Sequence, residues 1–164
     1  MFALERINAK IAHLNIRTEK HGDEEVKAVD LKIEAKLPNT FLSELHPTLK
    51  WSLYDKPTEP QLVDDEGYLP TLRYPKLGAL NWDDQITGGQ LTIHAPVSKK
   101  DLKFFSDINS LKIDPQDGGT INVTFRAQFT PTDDEIGKIA AVLGHSAEIS
   151  VEPPKAEPEN DDEK

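Results

Sequence analysis

The chain has 164 residues, of which 37% are hydrophobic and 29% are charged, a composition typical of a globular domain with a polar surface. It contains no cysteine, which excludes disulfides, thiol nucleophiles and cysteine-based metal sites. Its net charge of −10 weighs against tight, non-specific binding to duplex DNA, because that binding depends on lysine and arginine neutralising phosphates.

The first part of the chain predicts an antiparallel β-hairpin. In VKAVDLKIEAKL, apolar residues at positions 29, 31, 33, 35 and 37 alternate with charged ones, which is the pattern of a strand with one buried face. The preceding segment AKIAHLNIRTE is also strand-like, and HGDEE between the two predicts the turn.

The next segments predict helix and then a long connection. NTFLSELHP predicts a short helix capped by Asn39 or Thr40. TLKWSLY fits a strand or a helix, and the helix is favoured. Residues 56–87 are rich in proline, glycine and acids, and connections of this length are often functional.

The second half predicts further antiparallel strands. QLTIHA follows a turn at Gly88–Gly89, and DLKFFSDINSLKID is a strand whose apolar register shifts, which indicates a bulge. The glycine pair in DPQDGG predicts a turn into TINVTFRAQF, a strand with strict alternation.

The end of the domain predicts one helix and one strand. TPTDDEIGKIAAVLGH begins with a capping box of Thr132 and Glu135, and AEISVE follows as a strand. Because strands and helices do not alternate, we expect a mainly antiparallel β domain, a sandwich or partly open barrel with two short helices. Residues 1–151 are predicted to form this domain, and the acidic, proline-broken residues 152–164 are predicted to be a disordered tail of net charge −4.

Motifs for catalysis or cofactor binding are absent from the sequence. The five histidines form no zinc-binding pair, and neither a P-loop nor a nucleophile elbow occurs. His94 on a strand is a catalytic candidate, but a lone histidine is more often structural. His21, Asp23 and Glu24 are candidate metal ligands, although a polar turn explains them better. The sequence therefore predicts no enzyme and no cofactor.

Basic residues interleaved with aromatic ones are the strongest binding signal. Single-stranded nucleic acid needs cations for its phosphates and flat rings for its bases. The alternative is that the aromatic residues are core and the lysines merely solubilise the chain. The candidate interface residues are Lys50, Trp51, Arg73, Tyr74, Lys76, Trp82, Lys99, Lys100, Lys103, Phe104 and Arg126.

Three segments carry a resemblance to a family of small phage and prophage proteins: KIAHLNIRTEKHGDEEVKAVDLKIEA, TFLSELHPTLKWSLY and KIDPQDGGTINVTFRAQFTPTDDEIGKIAAVLGHSAEISVEPP. Genes of that family often lie near recombination or replication functions, and no catalytic residues are established in it that could be carried over. The resemblance implies a phage protein in the host bacterial cytoplasm. No secretory signal or membrane-length apolar run contradicts this expectation.

A β-rich body with an acidic tail also resembles phage and bacterial single-stranded-DNA-binding proteins. Their tails usually end in an apolar anchor for partners, whereas this chain ends in Asp162, Glu163 and Lys164. The resemblance implies a single-stranded DNA partner and an accessory role in DNA metabolism. A host or phage DNA-processing protein is a further candidate partner. The alternative function is an acidic anti-defence protein that binds and inhibits a host DNA-binding or nuclease complex.

Overall fold

The structure, a computed structural model, describes residues 2–62, 65–94 and 100–155. Its first six elements are β1 (Leu4–His21), β2 (Glu24–Pro38), α1 (Phe41–Leu45), α2 (Leu49–Leu53), β3 (Tyr54–Asp55) and β4 (Thr71–Leu72). The next six are β5 (Leu80–Trp82), β6 (Ile86–Ile93), β7 (Leu102–Pro115), β8 (Thr120–Phe129), α3 (Asp133–Val142) and β9 (Ser146–Glu152).

Six long strands pair in a ring. The order β7-β6-β9-β1-β2-β8 returns to its start because β7 also pairs with β8, and every pair is antiparallel. The short strand β5 extends the second half of β7, and β3 pairs with β4 in a separate two-stranded sheet. The predicted mainly antiparallel β fold is confirmed, and the ring matches the expectation of a partly open barrel.

The interior of the ring is filled by the apolar positions that the alternation marked. The five alternating apolar positions of β2 and the five of β8 are all buried: Val29, Leu31, Ile33, Ala35, Leu37, Ile121, Val123, Phe125, Ala127 and Phe129. Successive side chains of a strand point to opposite faces, so the intervening polar residues necessarily lie on the outside of the ring.

The helical segment after β2 is tied to the ring at the β7–β8 turn. The buried Tyr54 hydroxyl donates hydrogen bonds to the backbone carbonyls of Gln116 (2.7 Å) and Thr120 (3.1 Å). Burial raises the pKa of Tyr54 to about 12, so the phenol remains a donor at neutral pH. Phe2 packs edge to face on Phe41, with ring centroids 5.8 Å apart, and this contact joins α1 to the core.

The sequence-predicted helices form, with one correction. Thr132 and Glu135 make the expected capping box at the start of α3, and TLKWSLY is helical over α2. The predicted side-chain cap of α1 is wrong: Thr40 makes no cap hydrogen bond, and the Asn39 amide instead donates to the Leu69 carbonyl at 2.7 Å. Asn39 therefore links β2 to the long connection.

The predicted turn at Gly88–Gly89 is also wrong. Both residues lie inside β6, where the register shifts between Ile86 and Gly89 and produces a bulge. The Gly118–Gly119 turn between β7 and β8 forms as predicted, with positive φ at both glycines. The predicted bulge of β7 is present as well, since its register shifts between Asn109 and Lys112.

The last strand ends at Glu152, one residue into the segment predicted as tail. Residues 153–155 follow without regular structure, and the rest of the predicted tail, residues 156–164, lies outside the described residues. Within the described ranges, none of the three helices is long and apolar enough to span a membrane.

Candidate binding groove

A groove of about 1590 Å³ crosses the outer face of β1, β2, β8, β7 and β5. One wall is formed by β5 and the residues that follow it, Asp83 to Gln85. We call this feature the polar groove, because its floor is built from the outward-facing positions of the strands, whereas the apolar positions fill the ring. Its basic and indole side chains are Lys10, His13, Lys32, Lys36, Trp82, Lys112 and Arg126.

The strand register places the groove residues in rows across the sheet. One row runs from Lys10 to Glu34 on β2, Thr124 on β8 and Lys112 on β7, and it ends at Asn81 on β5. Residues of five strands thus meet side by side although they are far apart in the sequence. The row spans the full width of the groove.

A second row contains Lys32, which pairs with Arg126 on β8, followed by Asn109 on β7. The bulge in β7 gives Ser110 a positive φ of 57°, and both Asn109 and Ser110 line the groove there. Bulges re-aim side chains in this way and often occur beside functional surfaces.

A chain of hydrogen bonds holds this part of the floor rigid. Arg126 Nε donates to Asn109 Oδ1 (3.0 Å), and Asn109 Nδ2 donates to Gln128 Oε1 (2.9 Å). Gln128 Nε2 donates to Asp30 Oδ1 (2.7 Å), and Arg17 Nε donates to Asp30 Oδ2 (2.9 Å). The Arg126 guanidinium is therefore oriented before any ligand arrives.

Asp30 is held ionised by these neighbours. Burial of the carboxyl acts to raise its pKa, but hydrogen bonds from Gln128, Arg17 and Asn15 outweigh burial, so the pKa lies below the ordinary value of 3.8. Because Arg17 partly neutralises the negative charge of Asp30, this carboxylate repels an anionic ligand in the groove less than an unpaired one would.

Three lysines of the groove differ from Arg126. No described residue accepts a hydrogen bond from the ammonium groups of Lys10, Lys36 or Lys112, whereas Lys32 lies 3.8 Å from a carboxylate oxygen of Glu34. These three ammonium groups are available to an anion. Being long and flexible, they can adapt to its position.

The groove as a whole is charge-balanced. Its five lysine and arginine residues face five acidic ones, Asp30, Glu34, Asp83, Asp84 and Asp114, so the net charge of −10 resides on the rest of the chain. Six side-chain amides also line it: Asn8, Asn15, Asn81, Gln85, Asn109 and Asn122. Such amides both donate and accept hydrogen bonds.

The structure distributes the sequence-predicted interface over three places. Only Trp82 and Arg126 lie in the polar groove. Four groove cations escaped the prediction: Lys10, Lys32, Lys36 and Lys112. Their outward positions could be read from the alternation of β1, β2 and β7, but their assembly into one surface depends on the strand order, which the sequence does not reveal.

Five further predicted residues cluster around α2 and the connection after β4. The side chains of Trp51 and Tyr74 are exposed, by 55% and 61%, and Lys76 is exposed. Lys50 Nζ donates to the Gly67 carbonyl at 2.6 Å, and Arg73 Nε donates to the Trp51 carbonyl at 2.7 Å. Both cations thus brace the connection. Tyr74 lines a smaller cavity that shares Asp114 with the polar groove.

The third place is the start of β7, where one prediction needs correction. Lys100 and Lys103 are exposed there, and Lys99 lies outside the described residues. Phe104 is not a surface residue: it is 6% exposed and stacks on Phe129 with ring centroids 4.3 Å apart. The alternation of β7 turns Phe105 outward instead, with 83% exposure.

The candidate metal ligands at the hairpin turn are not assembled. Across residues 2–62, 65–94 and 100–155, no group of three or more histidine and acidic residues is arranged to hold a metal ion. His21 Nε2 instead lies 3.2 Å from a carboxylate oxygen of Glu19. The polar-turn interpretation accounts for these residues.

Comparison of the chain with protein-family models, with curated proteins and with solved structures finds no match.

Proposed function

We propose that this protein binds single-stranded nucleic acid in the polar groove, as an accessory factor of phage DNA metabolism. The observation that carries the proposal is the row geometry, which brings Lys10, Lys36 and Lys112 into one groove with Trp82 and the oriented Arg126. Ammonium and guanidinium groups contact phosphates, and an indole offers a face for a base.

The remaining groove residues suit unpaired bases better than a duplex. Asparagine and glutamine amides match the hydrogen-bonding edges of bases, which are accessible when the strand is single. A groove with balanced charges lacks the excess of cations on which non-specific duplex binding depends. We therefore keep the single-stranded partner expected from the sequence, and we propose the groove floor as its site in place of the segments around α2, residues 73–76 and the start of β7.

The two tryptophans allow a direct test, because the chain contains only Trp51 and Trp82. Trp51→Phe leaves Trp82 as the sole indole reporter in the groove, and Trp82→Phe leaves Trp51 as a reporter on α2. Titration with a mixed-sequence single-stranded oligonucleotide at low salt should quench the fluorescence of Trp51→Phe. The fluorescence of Trp82→Phe should change little.

A pair of charge variants supplies the control. Lys112→Glu places a repulsive charge on the groove floor and should weaken binding about tenfold or more, whereas Lys76→Glu makes the same change outside the groove. Quenching confined to Trp82→Phe would move the site to α2. Absence of binding by the wild-type chain at low salt would refute the proposal.

The acidic anti-defence role is the second candidate, and it becomes the favoured one if the oligonucleotide titration shows no binding. The net charge outside the polar groove is −10, which suits a surface that mimics phosphate charge. A chain that ignores DNA but co-purifies with a host nuclease would favour it.

A further inference from the structure

A second site lies outside the polar groove, on the outer face of β6 and β9. His94 Nδ1 is 3.1 Å from Asp101 Oδ2, and His94 Nε2 is 2.7 Å from Ser150 Oγ. A carboxylate on one ring nitrogen and a serine hydroxyl on the other form the arrangement of a serine-hydrolase triad, which is recognised by geometry and not by sequence order.

The strand register explains why these residues meet. The last pair between β6 and β7 is Ile93 with Leu102, so His94 and Asp101 occupy the next position across the two strands. The backbone N–H of His94 donates to the Glu148 carbonyl at 2.9 Å, which fixes its position against β9. Ser150 lies two residues further along β9 on the same face. The end of β6, the residue before β7 and strand β9 therefore orient the imidazole.

The hydrogen bonds also define the direction of proton transfer. A carboxylate accepts hydrogen bonds and cannot donate them, so Asp101 selects the imidazole tautomer with its proton on Nδ1. His94 Nε2 is then the acceptor, and the Ser150 hydroxyl donates to it. This is the protonation pattern in which histidine acts as a general base toward serine.

We propose that Ser150 is the nucleophile of a hydrolytic site for small, unhindered carboxylic esters, with His94 as general base and Asp101 as the residue that orients it. The size limit follows from burial: Ser150 is 7% exposed and its cross-strand neighbour Thr92 is 3% exposed. The His94 side chain is 12% exposed, so only a slender acyl group reaches the hydroxyl.

The reaction balances without a cofactor. Ser150 Oγ bonds to the ester carbonyl carbon while its proton passes to His94 Nε2. The tetrahedral adduct then breaks its bond to the alkoxy oxygen, which takes that proton and leaves as an alcohol. Water adds to the acyl-serine by the same route, which releases a carboxylic acid and restores the Ser150 hydroxyl.

One backbone donor contacts the proposed nucleophile. The register between β1 and β9 shifts between Leu4 and Ile7, and Arg6 has a positive φ of 44°. At this irregularity the Arg6 N–H donates to Ser150 Oγ at 3.0 Å. This bond helps to hold the Ser150 hydroxyl in the orientation in which its proton faces His94 Nε2.

A fluorophosphonate probe tests the proposal, because it forms a stable phosphonate ester only with an activated serine and releases fluoride. The full wild-type chain should become labelled, and peptide mass spectrometry should locate the adduct on Ser150. Ser150→Ala should abolish labelling, and His94→Gln should slow it about 100-fold. Wild type should also release 4-nitrophenol from 4-nitrophenyl acetate, and Ser150→Ala should not.

Ser106→Ala is the matched control, since Ser106 is also a buried strand serine but its hydroxyl donates to the Phe104 carbonyl. It should label like wild type, and circular dichroism should show that all variants keep the fold. An unlabelled wild type, an adduct on another residue, or an unchanged labelling rate in His94→Gln would each overturn the proposal. The groove variant Lys112→Glu should leave labelling intact.

Discussion

At the residue scale, Phe104 and Phe105 show how one step along a strand separates core from surface. Phe104 stacks on Phe129 inside the ring, whereas Phe105 is 83% exposed. Phe104→Ala should therefore lower the free energy of unfolding by about 3–5 kcal/mol through cavity formation. Phe105→Ala should change it by less than about 0.5 kcal/mol. Urea unfolding of the two variants measures both, and equal losses would contradict the assignment of faces.

Asp30 is the other residue whose environment makes a sharp prediction. Its native pKa lies below 3.8, so the native state binds the proton less tightly than the unfolded chain does. The ionised carboxylate therefore stabilises the fold above about pH 4, and this contribution is lost as the pH falls through the native pKa. Asp30→Asn should lower the free energy of unfolding by about 1–2 kcal/mol at neutral pH, because it replaces strong hydrogen bonds to a charged acceptor with weaker bonds to a neutral one.

The difference between Asp30→Asn and wild type should shrink as the pH falls through the native pKa of Asp30, because below it both proteins carry a neutral side chain. Denaturant unfolding across this pH range measures the difference. Asp23→Asn in the exposed hairpin turn is the control and should track wild type throughout. A penalty for Asp30→Asn that is independent of pH would show that the carboxylate charge is not responsible.

At the scale of elements, two glycines should respond oppositely to alanine. A Cβ on Gly89 in β6 would lie 2.6 Å from Ile86 Cγ2 and 2.8 Å from the Glu152 carbonyl, so Gly89→Ala should destabilise by about 1–3 kcal/mol. A Cβ on Gly137 in α3 meets no atom within 4 Å, and Gly137→Ala should stabilise by up to about 1 kcal/mol. Thermal unfolding compares the two, and a stabilising Gly89→Ala would refute the close approach at the bulge.

Elements were predictable where a pattern is local. Period-two alternation located β2 and β8, and the Thr132–Glu135 capping box located α3, because burial and capping depend on residues close in sequence. The Gly88–Gly89 pair predicts a turn because a positive φ, which Gly88 adopts in the bulge, also favours glycine in turns. In the bulge, Gly89 is required for a different reason, since a Cβ there would lie too close to its neighbours. Local sequence does not distinguish these two demands.

The polar groove was less predictable than the strands. Arg126 and Trp82 were found by residue type, but Lys10, Lys36 and Lys112 join them only through the pairing of β1, β2, β8 and β7. The triad around Ser150 depends on the same kind of information. The sequence drew attention to His94 alone, because 56 residues separate it from Ser150. Both sets of residues are brought together by the strand order, which depends on pairings between segments far apart in the sequence.

At the scale of the whole molecule, the acidic C-terminal segment should compete with nucleic acid. Residues 156–164 contain five acidic residues and one lysine. A chain that ends at Lys155 should bind a single-stranded oligonucleotide more tightly at low salt, and the gain should vanish at high salt because screening removes it. Fluorescence titration at two salt concentrations measures the effect. Equal affinity of both chains at low salt would assign the segment to solubility alone.

The salt dependence of binding should report the charge balance of the polar groove. If all five groove cations contacted phosphates, log K would fall with log salt at a slope of about −3.5 for a single strand. Lys32 faces Glu34, which leaves Lys10, Lys36, Lys112 and the oriented Arg126 as phosphate contacts and a slope of about −2.8. Lys112→Gln should make the slope shallower by about 0.7, whereas Lys76→Gln outside the groove should not change it. A steep slope that is insensitive to Lys112 would place the phosphate contacts elsewhere on the molecule.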